Sequence, residues 1–163
     1  MMRRHLEELR RRAEKAKSLH PKKLALVAVS QSLFVFGVFL LILAGNLQYF
    51  VPSNHQIQLV YFGAAILSFV LAYFAYDRVD EVDFLDFIAM MVYTSHARSC
   101  PHGAIIDSSA SLFILGLILI AIAPVIYLHY SSPIYGALTL ASGAILVALA
   151  GVGYVLSRKA YSI

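Results

Sequence analysis

The chain has 163 residues, of which 60% are hydrophobic and only 13% charged, with a formal charge of +4. A typical soluble domain carries about 25% charged residues, and one this small could not hide so much apolar surface, so an ordinary water-soluble fold is excluded. The single cysteine excludes an intramolecular disulfide.

Residues 1–21 read as a basic amphipathic helix in the cytoplasm. Leu6, Leu9, Ala13 and Ala16 repeat at 3, 4, 3 spacing and form a narrow apolar stripe. Glu7 with Arg11 and Glu8 with Arg12 are i, i+4 pairs in the favourable order. The segment is too charged for a signal peptide, and the apolar run behind it is too long for a signal core. Pro21 suits the first turn of the next helix. Cations beside a membrane helix attract anionic headgroups, so Arg10, Arg11, Arg12, Lys22 and Lys23 are expected at lipid phosphates. Topology accounts for most of this charge, and no nucleic acid is expected.

Four uncharged runs approach the roughly 20 residues that cross a hydrocarbon core. They cover residues 24–44, 59–76, 112–130 and 134–156. Together they predict a transmembrane domain over 22–158, a loop at 77–110 and a short tail at 159–163. Among the 13 lysines and arginines, none falls in the connecting segments 45–58 or 131–133. The positive-inside tendency then places both termini and the 77–110 loop in the cytoplasm, with the plasma membrane as the expected location. Tyr49, Tyr61, Tyr127, Tyr130 and Tyr135 would mark the outer interface, and Tyr73, Tyr76, Tyr154 and Tyr161 the inner one.

Within the first run, Ser30, Gln31 and Ser32 are polar, and Ser68 interrupts the second. Gln31 needs amide partners in hydrocarbon and should bond another helix. Pro124 in the third run removes a backbone hydrogen bond and should kink the helix, which neighbours can absorb. No run holds Asp, Glu, Lys, Arg or His in its centre. Proton-coupled exporters and haem-binding bundles generally need such a residue at depth, so both are disfavoured. In the fourth run, Ala137, Ala141, Ala144, Ala148 and Gly151 form a seam of small residues expected to face another helix. Its partner could be another span of the chain or the same span of a second copy.

The loop between the second and third runs concentrates acidic residues, with Asp77, Asp80, Glu81, Asp83 and Asp86 close together. Residues 79–95 read as a helix lying at the inner interface or against the cytoplasmic end of the bundle. An acidic head repels an anionic surface. The basic amino-terminal helix is one alternative partner, within the chain or between copies, and simple solvation of both faces is the other.

His96, Cys100, His102 and Asp107 place four donors within twelve residues, a candidate site for zinc or copper. The spacing matches no paired CxxC element. The stretch HGAIID, His102 to Asp107, resembles the HX4D signature of glycerolipid acyltransferases. That resemblance implies a histidine base oriented by an aspartate. It covers six residues, and the chain lacks room for the rest of that fold.

The resulting expectation is an all-α polytopic membrane protein, a four-helix bundle with an amino-terminal amphipathic helix and a cytoplasmic helical loop. Its expected role is a non-enzymatic structural, assembly or accessory subunit, oligomeric, without a cofactor. The partners are anionic lipids and other membrane subunits or further copies. The alternatives are an oligomeric transporter or pore lined by Ser30, Gln31 and Ser68, or an interfacial enzyme or metal sensor using residues 96–107.

Overall fold

The computed structural model describes residues 2–51, 55–92 and 101–160. Among these the chain is all helical, with no strand. The α-helices are α1 (Met2–Ala13), α2 (Pro21–Phe50), α3 (His55–Asp77), α4 (Phe84–Val92), α5 (Pro101–Tyr130) and α6 (Pro133–Ala160). The shortest long helix, α3, has 23 residues and so reaches roughly 34 Å, more than the ~30 Å of a hydrocarbon core. All four long helices are apolar enough to cross a membrane, and the fold is a four-span helical bundle.

The helices run past the apolar stretches that announce them. Spanning helices continue into the headgroup layer, where polar residues are tolerated, so hydropathy underestimates their length. α5 starts at Pro101 rather than near residue 112, which makes the whole of 102–107 helical. In the opposite sense, the helix predicted within residues 1–21 is shorter. α1 ends at Ala13 and a 3-10 turn follows over Glu14–Lys17. Pro21 disfavours helix at the residue before it, and His20 turns to φ −59°, ψ 140°. There His20 Nδ1 accepts from the Lys22 N–H at 3.3 Å and caps α2. The predicted helix over 79–95 is also shorter at its start. Asp86 reaches back to the Asp83 N–H at 3.3 Å, half of a capping box, and α4 begins between them.

The main contacts run in the order α3, α2, α5, α6, with α1 and α4 packed together at one end. α2 and α3 form an antiparallel pair fastened by side chains to backbone. Ser30 Oγ donates to Ala72 O and Ser68 Oγ to Leu33 O, both at 2.7 Å. Gln58 Nε2 donates to Ala44 O at 3.1 Å. The Tyr61 hydroxyl donates to Ala121 O on α5, in the turn before Pro124, where the proline weakens the helix ladder. Tyr61 is therefore a buried interhelical contact and not the outer-interface residue expected from its position. Tyr49, Tyr127, Tyr130 and Tyr135 are exposed.

α5 and α6 approach most closely, through residues seven apart on each helix: Ser109, Gly116 and Ala123 on α5, Gly136, Gly143 and Ala150 on α6. All six are buried. A Cβ on Gly116 would stand 2.8 Å from Gly143 O, and one on Gly143 would stand 2.7 Å from Gly116 O. No side chain fits at either position. Ser131, at φ 50°, reverses the chain after α5, and Pro133 opens α6. The seam Ala137, Ala141, Ala144, Ala148 and Gly151 is not the face used within the chain, because all five residues are exposed. Glycine permits backbone contact that alanine does not, so the heptad of Gly136 and Gly143 takes the intramolecular role.

Gly143→Leu should therefore separate α5 from α6 and destabilise the protein by more than the ~1–3 kcal/mol of ordinary overpacking. Gly151→Leu, with nothing within 4 Å of its Cβ position, should leave thermal stability in detergent nearly unchanged. Equal losses from the two variants would contradict this packing.

Candidate functional site

The ion pairs between elements gather at the α1–α4 end of the bundle. Asp86 is the centre. It sits in the first turn of α4, where a carboxylate also complements the helix dipole, and its side chain has no exposed surface. Lys15 Nζ donates to Asp86 Oδ2 at 2.6 Å, and Arg12 Nη1 donates to Oδ1 at 3.3 Å. Arg12 also bonds Glu8 Oε1 at 3.3 Å, one turn earlier on α1. Beside this cluster, Lys23 at the start of α2 pairs with Glu81 at 2.5 Å.

Apolar packing brings these charges together. Leu19, Leu24, Val79, Val82, Phe87 and Met90 form one buried cluster under α1 and α4. Phe87 meets Tyr76 edge to face at 5.3 Å between ring centres. Gln31 Nε2 donates to Phe87 O at 3.0 Å and ties α4 to α2, the interhelical bond expected of that residue. With Phe87 and Met90 turned inward, the neighbouring Asp86 cannot face water and needs cations instead.

Burial pushes the Asp86 carboxyl up. The Lys15 hydrogen bond, the Asp83 N–H, the Lys15 charge and the Arg12 hydrogen bond push it down and prevail, leaving it below the usual aspartate value. Arg12 is shifted up by its hydrogen bonds to Glu8 and Asp86. A carboxylate held ionised by two cations is a poor proton acceptor near neutral pH. The arrangement works as a charge latch holding the amino-terminal helix to α4.

The other predicted residues are distributed as follows. His96 and Cys100 lie outside the described residues, and so does Tyr161. His102 and Asp107 lie on α5 five positions apart, roughly 140° around the helix at 3.6 residues per turn. The HX4D spacing therefore does not put its two positions on one helix face. Among the described residues, no group of three or more His, Cys, Asp or Glu could hold a metal ion. Asp107 borders a cavity of about 280 Å³ between α2, α4 and α5, together with Gln31, Ser32, Met91 and Ser111. Of the five cations assigned to headgroups, Arg12 and Lys23 face carboxylates, whereas Arg10, Arg11 and Lys22 are exposed. The Asp86–Lys15 contact was not anticipated residue by residue. Its signal was a lone aspartate inside the apolar run 84–92.

No protein-family model, curated protein or solved structure matches this chain.

Asp86→Asn keeps the shape and removes the charge. Lys15 is half exposed, so the low end for a charged hydrogen bond, about 1.5 kcal/mol, applies. Opening of α1 should then rise roughly tenfold. Acid should act in the same way. A carboxylate whose folded pKa lies below its unfolded value, about 3.9, stabilises the fold above that value and loses the contribution as pH falls through the folded pKa. Spin labels at positions 11 and 85 should report one narrow distance between pH 7 and 5. The distribution should broaden below about pH 4, and in Asp86→Asn at every pH. A narrow distribution in the variant would contradict the latch.

Proposed function

We propose that this protein is a non-enzymatic subunit of a membrane assembly, joining other membrane helices or further copies of itself through the open face of α6. The observation that carries this reading is how little of α6 the chain covers. Its most apolar stretch is 11% buried, against 28% in α2, and α6 packs extensively only on α5. The uncovered face carries Ala137, Ala141, Ala144, Ala148 and Gly151. In lipid, helix association depends on close packing rather than on the hydrophobic effect, and small residues allow it.

The polar groups in the spans favour this role over a pore. Ser30 and Ser68 are buried and bonded to carbonyls of the adjacent helix, and Gln31 is bonded to α4. A lining for a water path would need those groups turned to a lumen. The charge distribution supports cytoplasmic termini, with α1 and α4 on the cytoplasmic face. The plasma membrane is the proposed location, and exposed cations such as Arg11 and Lys22 would meet anionic headgroups.

Size measurement and identification of bound proteins after extraction in mild detergent test the proposal. The protein should emerge as an oligomer or with stoichiometric membrane partners. Ala141→Leu combined with Ala148→Leu should weaken that association at least tenfold, about 1.4 kcal/mol, without lowering thermal stability. A lone monomer, or association indifferent to the double substitution, would sink the reading.

A further inference from the structure

α2 and α6 flank α5 without packing extensively on each other. The close approach of Gly116 and Gly143 holds α6 on one side of α5, and an apolar groove of about 280 Å³ remains between the three helices. Its walls include Ala25 and Val29 on α2, Ile106 and Phe113 on α5, and Ala150 and Tyr154 on α6. Small side chains at Ala28, Ala110 and Gly151 keep it open.

Charge indicates what fills it. Lys22, Ala25 and Val29 fall at i, i+3 and i+7 and share one face of α2, so the groove leads toward Lys22. Lys22 is exposed, and among the described residues no carboxylate pairs with it. The adjacent Lys23 is neutralised by Glu81 on the α4 side.

We propose that the groove between α2, α5 and α6 holds one acyl chain of an anionic phospholipid, with the lipid phosphate against Lys22. The site rests on the membrane-embedded reading and gives its lipid contact a defined place. Apolar burial does not select the tail, because the surrounding lipid is equally apolar. One cation at the interface, worth roughly a fivefold preference, selects this lipid over a neutral one.

Native mass spectrometry in mild detergent tests the proposal, with phosphatidylglycerol and phosphatidylcholine of identical chains as probes. One phosphatidylglycerol per chain should be retained, about fivefold more than phosphatidylcholine. Lys22→Gln should abolish that preference. Arg78→Gln, which removes an exposed cation beyond the end of α3, should preserve it. Equal retention of the two lipids overturns the site, as does an equal effect of the two substitutions, which would indicate a diffuse basic surface. Disulfide cross-linking of Val29→Cys between two chains with no lipid retained would assign the groove to a second copy and also overturn it. The same spectra count chains, so loss of lipid with unchanged oligomers rejects the site without touching the proposed association.

Discussion

Hydrocarbon offers no hydrogen-bond partner, and this one constraint organises the molecule. Backbone groups are satisfied within the four long helices. Several polar side chains in the spans are satisfied by backbone carbonyls. Ser32 and Thr139 bond their own helices, to Ala28 O and Tyr135 O. Ser30, Ser68, Gln31 and Tyr61 bond neighbouring ones. These four bonds also fix which helices touch. Two of them join α2 to α3, one joins α2 to α4, and one joins α3 to α5. The α5–α6 pair is set by glycine against glycine, Gly116 on Gly143.

Where the spans end, electrostatics replaces hydrogen bonding as the organising force. A short helix with one apolar face turns Phe87 and Met90 inward and carries Asp86 with them. An unpaired carboxylate there would be costly. Arg12 and Lys15 from the amino-terminal helix supply the countercharge, so a segment that could have drifted in solvent becomes part of the packed structure. The result is a charged end held by ion pairs and a laterally open apolar side.

The four spans were legible because each is an uncharged run long enough to cross. Their ends were not, since hydropathy falls where a helix enters the headgroup layer while its backbone ladder continues. Gln31 announced its own interhelical bond, because an amide in an apolar run has few alternatives. The face of α6 that packs within the chain was not identified from the sequence for a specific reason. Ala137, Ala141, Ala144, Ala148 and Gly151 satisfy a helical period as well as Gly136, Gly143 and Ala150 do. Only the matching spacing of Ser109, Gly116 and Ala123 on α5 distinguishes them, and that requires reading two helices as a pair. Tyr61 was misplaced because position in a span does not reveal which way a ring points. For Asp86, a general attraction between acidic and basic segments was visible, but the partner atoms depend on where the 3-10 turn ends α1.

The central claim is that α5 crosses the membrane and carries the segment before it and the α5–α6 turn to opposite faces. Cys100, the only natural thiol, reports one face. Ser132→Cys in a Cys100→Ser background reports the other. A membrane-impermeant maleimide applied to sealed vesicles of known orientation should modify the two positions from opposite sides, with Cys100 accessible from the cytoplasmic side. Modification of both from the same side would contradict the four-span arrangement.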